Sequence, residues 1–398
     1  MNYKTYPVSD LIDEIAMGPF GSNIKVDCFV DEGVPVLNGS NLDGFELSEK
    51  SFRYVTEEKA DSLKKANAYK GDVVITHRGT LGQIVYISQT AQRDRYVISQ
   101  SQFRVKCNEK VLPEYFVYYF HTPIGQHKLL SNASQVGVPA LARPSSTFQK
   151  IEIEIPDLET QKKVVKLIGS LQARIKTNSE INDNLYAQAK AIFAQRFTDI
   201  ETIPDGWKKG SLLTIANYLN GLAMQKYRPN GDEVGLPVLK IKELRQGSCD
   251  NSSELCSPNI KPEYIIHDGD VIFSWSGSLL VDIWCGGTCG LNQHLFKVTS
   301  ETYDKWFYYL WTAHHLERFI AIAADKATTM GHIKRGELAK AEVLIPSDED
   351  YKEIGSLMNP IFDLIVANRI EARKLAELRD GLLPRLMSGE IDVSEVSL

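Results

Sequence analysis

Residues 71–87 read GDVVITHRGTLGQIVYI, and residues 269–285 read GDVIFSWSGSLLVDIWC. Both stretches contain Gly-Asp-Val, two further apolar residues, a small hydroxyl residue and, three residues later, another glycine. Within this frame His77-Arg78 of the first copy corresponds to Trp275-Ser276 of the second. The pattern predicts two strands, 72–78 and 83–88 in the first copy, joined by a tight turn that contains glycine. It also indicates that the chain carries one structural unit twice.

Further pairs of similar segments occur in the same order in both halves. PVLNGSNLDG (35–44) matches PVLKIKELRQG (237–247), ISQSQFRVK (98–106) matches LNQHLFKVT (291–299), and EYFVYYFHT (114–122) matches KWFYYLWTA (305–313). The spacing between the copies drifts along the chain, which indicates shared elements joined by loops of different length. The repeat is therefore a whole domain and not a short solenoid unit.

The remaining pattern of the first half is mixed helix and strand. Residues 96–106 are predicted to form a further strand, residues 113–130 an aromatic helix, and residues 151–155 a short strand. The aromatic face of residues 115–120 is typical of a core and less so of a base-stacking platform.

Each half ends in a long heptad pattern. Asp157 and Ser347 are placed to cap the two helices, and the apolar positions keep one register from Val164 and Ile354 onward. Asn178 and Asn368 occupy equivalent positions of this pattern. Either each is a tolerated polar residue, or the helices pair antiparallel and the two asparagines meet and fix the register.

The predicted fold class is α+β: two similar mixed α/β target-recognition domains are separated by two long helices that form an antiparallel coiled coil. The predicted domains are residues 1–156 (first recognition domain), 157–199 (central helical spacer), 200–346 (second recognition domain) and 347–398 (distal helical spacer).

Charge and composition argue against several classes of protein. The net charge of −6 does not fit a protein that coats nucleic acid without specificity. Most of the excess acid lies in residues 347–398, while local basic clusters persist elsewhere. The first residues do not resemble a signal peptide, and apolar runs are too short to span a bilayer. We therefore expect a cytoplasmic protein with no membrane partner.

Motifs for catalysis or metal binding are absent from the sequence. There is no phosphate-binding loop, no dinucleotide fingerprint, and none of the tetrapeptides that amino-methyltransferases place around the target amine. Asp350-Tyr351-Lys352 has the acid-x-Lys spacing of some nucleases but no upstream partner. Cys249, Cys256, Cys285 and Cys289 lack the C-x2-C spacing of a zinc site, so reduced thiols are favoured over a metal.

Several motifs resemble the specificity subunit of type I restriction-modification systems. LRDGLLPRLMSGEIDV (378–393) is similar to the distal repeat of that family, and AQAKAIFAQRF (187–197) to its central repeat. GPFGS (18–22), the Gly-Asp-Val element and IPDGWKKGSLL (203–213) also match. The resemblance covers essentially the whole chain, although the turn Gly79–Gly82 is replaced by Gly-Ser-Leu-Leu at residues 277–280.

The resemblance implies a DNA reader that does no chemistry and holds no cofactor. Each domain would read one half of a split, asymmetric site on double-stranded DNA, and the helices would set the separation of the halves. Two modification subunits would supply S-adenosylmethionine and adenine N6 methylation, and translocating restriction subunits could join them. The alternatives are a duplicated structural adaptor, the recognition subunit of a methylation-only complex, or a stand-alone nuclease.

Candidate DNA-binding residues are those whose side chains read base edges or hold phosphates from loops and strand ends. In the first domain they are Asn38, Ser40, Asn41, Arg78, Thr80, Ser99, Gln100, Gln102 and Arg143. In the second they are Lys240, Lys242, Arg245, Ser276, Ser278, Asn292, Gln293, His294, Lys334 and Arg335. The candidates for docking of modification subunits, which could equally close the helical bundle, are Phe193, Phe197, Leu382, Leu383 and Leu386.

Overall fold

The structure is a computed structural model that describes residues 3–134, 137–325 and 333–393. The strands of the first half are β1 (Lys4–Pro7), β2 (Ile12–Met17), β3 (Val34–Val36), β4 (Arg53–Val55), β5 (Asn67–Tyr69), β6 (Asp72–Thr76), β7 (Ile84–Tyr86), β8 (Arg95–Val97), β9 (Gln102–Cys107), β10 (Ala133–Ser134), β11 (Ala140–Leu141) and β12 (Glu152–Ile155). Those of the second are β13 (Lys208–Ser211), β14 (Asn217–Asn220), β15 (Leu236–Leu239), β16 (Leu255–Cys256), β17 (Ile265–Ile266), β18 (Val271–Ser274), β19 (Leu280–Ile283), β20 (Cys289–Leu291), β21 (Leu295–Thr299) and β22 (Glu342–Ile345).

The helices follow the same plan. They are α1 (Glu57–Ser62), α2 (Pro113–His121), α3 (Pro123–Leu130), α4 (Pro144–Gln149), α5 (Leu158–Phe193), α6 (Leu212–Ile215), α7 (Ile241–Gln246), α8 (Lys305–His314), α9 (Leu316–Asp325), α10 (Arg335–Ala339) and α11 (Asp348–Met387). A π-helical turn, Ala194–Thr198, continues α5. Among the described residues, no helix has the length and apolarity that a membrane crossing requires.

Sheet topology confirms the duplication predicted from the repeated segments. In the first half the order β2-β9-β6-β7 forms one four-stranded sheet and β4-β3-β8-β5 another. The second half repeats both orders as β14-β21-β18-β19 and β16-β15-β20-β17. In each half a further two-stranded pair, β1-β12 or β13-β22, joins the first strand to the strand before the long helix.

Two predicted elements of the first half are divided. The single strand predicted over 96–106 is two strands in different sheets, because a tight turn in which Gln102 N donates to Ser99 O (3.1 Å) separates β8 from β9. The single helix predicted over 113–130 ends at Thr122, whose hydroxyl caps α3 by accepting from Gly125 N (3.0 Å). Pro123 removes a backbone donor there, so the helix cannot run through.

By internal packing the chain forms two compact units, Met1–Gln172 with Glu377–Leu398, and Ala173–Ala376. The predicted aromatic face of α2 lies in the core of the first unit, as do Val164 and Ile168 of α5. The core of the second unit includes Ile354 and Met358 of α11. Each long helix therefore contributes side chains to both units.

The helices pair antiparallel within the second unit. Arg174 bonds Glu371 through two contacts of 3.2 Å, and Arg196 bonds Glu353 at 2.8 Å, so residue numbers rise along α5 as those of their partners fall along α11. The predicted caps are present, with Asp157 Oδ1 accepting from Thr160 N (2.9 Å) and an equivalent bond at Ser347. Two mixed domains and an antiparallel helix pair are thus the observed architecture.

Candidate nucleic-acid interface

The aspartate of the Gly-Asp-Val frame has a structural role in both copies. Asp72 pairs with Arg104 of the neighbouring strand (3.3 Å), and Asp270 pairs with Lys297 (2.8 Å). Each aspartate also accepts a hydrogen bond from the backbone N–H three residues before it. Burial raises the pKa of Asp72 above its usual range even with Arg104 beside it. The frame therefore explains the common scaffold and leaves specificity to residues around it.

The turn between the hairpin strands is supported in the same way in both domains. The carbonyl of His77 accepts from Leu141 N (2.9 Å), and the carbonyl of Trp275 accepts from Ile333 N (3.0 Å). These donors stand just before α4 and α10. The contacts bring the starts of those short helices to the hairpin turns.

A glycine loop reaches the same end of each domain. A Cβ on Gly18 would lie 1.9 Å from Ser99 O, and one on Gly221 would lie 2.2 Å from Asn292 O. Only glycine allows this approach, so the GPFGS segment (18–22) and its counterpart lie directly on the turn before β9 or β21. Hairpin turn, glycine loop and strand turn together form one surface in each domain.

In the first domain this surface encloses a cavity of about 620 Å³, called here the first groove. Its lining includes Phe20, Asn23, Lys65, His77, Arg78 and Gln100. The ring of Phe20 is 83 % exposed, which is unusual for an aromatic side chain outside an interface. The groove therefore combines hydrogen-bond donors, a side-chain amide that can donate and accept, and an apolar ring.

His77 and Arg78 differ in their availability. His77 Nε2 lies 3.2 Å from Gln100 O, and burial lowers the pKa of its imidazole below the usual value, which favours the uncharged ring. The exposed Arg78 guanidinium makes no hydrogen bond or ion pair with any residue that the structure describes. It is the side chain of the first hairpin turn best placed to meet an outside acceptor.

In the second domain a cavity of about 440 Å³, called here the second groove, borders the same strand turn through Gln293, the counterpart of Gln100. It extends towards residues 240–242, the counterparts of residues 38–40, and not over the hairpin turn. It is lined by Gln225, Arg228, Lys240, Ile241, Lys242, Glu254, Asn292, Gln293 and His294. Here the cations are paired: Glu254 binds Arg228 (2.7 Å) and Lys240, and Lys242 contacts Asp250 (3.5 Å). Such exposed pairs contribute little to stability and exchange readily with other anions.

Four predicted readers are buried: Asn41, Gln102, Ser276 and Asn292. The Asn41 amide donates to two carbonyls of the following loop, and Gln102 Oε1 accepts from the backbone N–H at residue 99. Ser276 Oγ lies 3.0 Å from His294 Nδ1. These side chains shape the surface from inside and do not face solvent.

The other predicted readers surround the grooves. Asn38 accepts from both the amide and the hydroxyl of Ser40, next to Gly39, whose carbonyl accepts from Gln83 near the first hairpin turn. Six further predicted readers are exposed, and their side chains make no hydrogen bond with any residue that the structure describes: Thr80, Arg143, Arg245, Ser278, Lys334 and Arg335. Ser99 is half-buried. Arg143 and Lys334 are the N-cap residues of α4 and α10.

The predicted meeting of the helix asparagines takes a different form. Asn178 Nδ2 donates to Glu371 Oε2 (2.8 Å) and reaches the backbone carbonyl of Asn368 (3.5 Å). The bond between two side-chain amides runs from Asn368 Nδ2 to Asn182 Oδ1 (3.0 Å). Asn182 in turn donates to Ile365 O (3.2 Å). The seam thus carries a small polar network in place of one symmetric asparagine pair.

The predicted docking residues lie in the cores of the units. Phe193 and Phe197 pack among the aromatic rings of α8, and Leu383 and Leu386 pack in the core of the first unit. Leu382 is partly buried at the same place. Their side chains pack these cores in the chain by itself, and the docking of modification subunits at this place stays a prediction.

The cysteines are thiols without disulfides among the described residues. A hydrogen bond with Cys289 lowers the pKa of the Cys249 thiol, and burial raises that of Cys289. The residues that the structure describes contain no group of three or more His, Cys, Asp or Glu side chains able to hold a metal ion.

Sequence reasoning missed Phe20, Lys65, Gln225, Arg228 and Glu254 as groove residues. A signal existed for Phe20, since an aromatic residue stands between the glycines of GPFGS. The pairing of Glu254 with two cations distant in sequence depends on tertiary structure and had no sequence signal.

Comparison with known proteins gives a consistent result. Residues 21–187 and 204–379 each match the family model described as type I restriction modification DNA specificity domain. The chain is 24% identical to the type I restriction enzyme MjaIX specificity subunit of Methanocaldococcus jannaschii, over 97% of this chain and 93% of that protein. It is 21% identical to the type I restriction enzyme HindI specificity subunit of Haemophilus influenzae, over 81% and 87%.

A solved structure shares the fold. The S subunit of a type I restriction-modification system from M. genitalium superposes with a TM-score of 0.59 at 12% identity, covering 97% of this chain and 96% of that one. At this identity the match concerns the fold alone. The two-domain, two-helix architecture is therefore one that a solved S subunit also has.

Proposed function

The chain belongs to the type I restriction modification DNA specificity family, and from this membership we propose that it reads a bipartite, asymmetric DNA site for a type I restriction-modification enzyme. Each recognition domain reads one half-site, and the chain itself performs no chemistry. Its place of action is the cytoplasm, on double-stranded DNA.

The observation that carries this proposal is the pair of grooves. They border the same strand turn in two domains of one topology, yet corresponding positions around them carry different polar side chains. Residues 77–78 are His-Arg where residues 275–276 are Trp-Ser, and residues 38–40 are Asn-Gly-Ser where residues 240–242 are Lys-Ile-Lys. A symmetric adaptor has no need of such a difference, whereas two unlike half-sites require it. The structural-adaptor alternative is therefore not favoured.

In the first groove the proposed base reader is Arg78, assisted by Gln100. An unpaired guanidinium fits the two major-groove acceptors of guanine, and a side-chain amide fits adenine. The exposed ring of Phe20 offers an apolar contact, for example to a thymine methyl group. The first half-site is expected to contain a guanine read by Arg78.

In the second groove the proposed readers are Gln293 and His294, with Lys240 and Lys242. The two lysines are held by carboxylates in the chain alone, and DNA phosphates would take the place of those carboxylates. Phosphate contacts are further proposed for Arg143, Arg245, Lys334 and Arg335, which are exposed near the grooves or on α7.

The partners are proposed to be two modification subunits and, in a full nuclease, restriction subunits. The modification subunits bind S-adenosylmethionine and methylate adenine N6, so this chain needs no cofactor of its own. The acidic distal segment suits contact with another protein better than contact with DNA. A methylation-only complex would use the chain in the same way.

The test is to express the chain with its cognate modification subunits in a host that lacks adenine methylation and to map methylated adenines across the genome. We expect one split motif, with two unlike halves separated by a fixed gap. The control omits the chain. Methylation without the chain, or an unsplit motif, would contradict the proposal.

A further inference from the structure

Two arginines on α11 hold the base of the second reading hairpin. Arg369 donates to both oxygens of Asp282 on β19, at 2.8 and 2.7 Å, in a two-pronged pair. One helical turn later, Arg373 donates to Asp268 at 2.6 Å. All four side chains are about three-quarters buried, which makes these contacts stronger than exposed pairs on the helix surface.

The loop after β19 is shaped around the second arginine. Asp268 Oδ1 accepts from Gly287 N (2.8 Å), so the turn before β18 and the loop after β19 are joined. A Cβ on Gly287 would lie 2.6 Å from Arg373 Nη1, and its φ of +89° favours glycine. Arg373 therefore fits into the base of the hairpin and touches both of its ends.

The hairpin connects this base to the second groove. β18 runs from the turn that contains Asp268 directly to Trp275 and Ser276 at the far turn. Ser276 bonds His294, a residue of the second groove. A tilt of the hairpin on α11 would therefore move the reading surface.

Apolar packing contributes to holding the hairpin against α11, since Phe273 and Ile283 share one core with Phe362 of that helix. A cavity of about 560 Å³ adjoins the arginines, lined by Asn178, Tyr186, Ser248, Asp282 and Cys285 among others. Since a cavity offers no close-packed contacts on that side, the ion pairs are the contacts that hold the base of the hairpin there, in addition to the apolar core.

Among the residues that the structure describes, the first copy shows no such attachment. At the equivalent positions α5 carries Ser179 and Asp183. The counterpart of Asp282 in the first hairpin is Val85, since Val85 pairs with Val74 and Asp282 pairs with Ile272. Val85 is buried and apolar. The arginine clamp, defined as Arg369 with Asp282 and Arg373 with Asp268, is thus a property of the second domain.

We propose that the arginine clamp positions the second reading hairpin on α11 and thereby sets how strictly the gap between the two half-sites is measured. Arg369 and Arg373 are positioning residues that do not touch DNA. This inference rests on the proposed function, because a gap exists only for a split site.

The experiment uses the full chain with its modification subunits and a DNA library in which the two halves of the mapped site are separated by the native gap, or by one or two base pairs more or fewer. Methylation of each member is counted by sequencing. For Arg369→Ala and Arg373→Ala we expect the preference for the native gap to fall about tenfold, with both half-sequences still required. Arg385→Ala, which removes an exposed ion pair on the same helix, is the matched control.

Charge exchange separates positioning from simple loss of folding. Arg369→Asp with Asp282→Arg should restore the preference for the native gap that either change alone removes. Arg369→Lys, which keeps the charge but not the two-pronged bond, should lie between wild type and Arg369→Ala. A uniform loss of methylation at every gap, with no change in preference, would overturn the clamp.

A second measurement needs no DNA. In Arg369→Ala, amide hydrogen exchange should speed up in residues 269–285 and remain unchanged in residues 71–87. If the wild-type complex yields no split motif, the proposed function fails while this exchange result still decides the clamp. Equal exchange in wild type and variant would overturn it.

Discussion

Removal of Arg104 should lower the unfolding free energy of the first unit, because the aspartate of the Gly-Asp-Val frame would remain buried without a cation beside it. The side chains of Arg104 and Asp72 are each only 6 % exposed, and Asp72 has one further bond, from the backbone N–H at residue 69. In Arg104→Met the apolar stem is kept but the buried carboxylate loses its cation. We expect the first unit to lose about 3 kcal/mol of unfolding free energy at pH 7, as for other broken buried pairs.

The sign of the pH dependence follows from the pKa of Asp72. That pKa is already raised by burial, and loss of Arg104 raises it further. An aspartate whose folded-state pKa lies above its unfolded value loses stability as pH rises through the folded value. The loss of unfolding free energy in Arg104→Met, relative to wild type, should therefore be largest at pH 7 and become smaller as the pH falls towards 5.

The assay is unfolding in urea, monitored by amide hydrogen exchange. Exchange in β9 reports on the first unit, and exchange in β21 reports on the second. Asp72→Asn combined with Arg104→Met should recover most of the loss, because no buried charge remains. Lys297→Met is the matched control: its pair with Asp270 is more exposed, and its cost should be about 1 kcal/mol. A cost below 1 kcal/mol for Arg104→Met, or a double variant as unstable as the single one, would refute this reasoning.

The other predictions concern the glycine loop, a buried histidine and the helix seam. Gly18→Ala should weaken DNA binding at the first half-site by about tenfold in a filter-binding assay, because its Cβ meets a backbone carbonyl. Gly169→Ala, whose Cβ makes only an ordinary contact with the Tyr118 hydroxyl (3.9 Å), should bind normally in the same assay. Burial lowers the pKa of His121, so the stability that its neutral ring contributes should be lost as pH falls below about 6.5. In His121→Gln the melting temperature should therefore change less between pH 7 and pH 5 than in wild type. Asn368→Leu should lower the free energy of urea unfolding by about 1–3 kcal/mol, because the buried side-chain oxygen of Asn182 loses its donor, and a second change, Asn182→Leu, should recover part of that loss.

Much of the fold was predictable because its signals are local. The positive φ of Gly71 and Gly269, +89° and +90°, and the capping bonds of their aspartates are reasons for the repeated Gly-Asp-Val frame. Helix caps and the constant heptad register are local in the same sense. Prediction failed where another effect outweighed the local pattern. Pro123 ends one predicted helix, and a tight turn divides one predicted strand into two strands that lie in different sheets.

The candidate site was less predictable than the fold. Polarity suggested that Asn41 and Gln102 face solvent, yet both are buried and each makes a hydrogen bond inside the domain. The carboxylate of Glu254 joins two cations that are close to it only in the folded domain. Sequence pattern found the region of each groove, but burial and ion pairing decide which side chains remain available there.

The independence of the two half-sites is the central claim, and one measurement tests it most directly. Arg78→Ala and His294→Ala, one in each groove, are compared for methylation of DNA in which every position of the mapped site is varied. We expect each variant to relax the requirement at a position in its own half by about 1–3 kcal/mol and to leave the other half unchanged. Equal loss of discrimination in both halves from either variant would contradict the account.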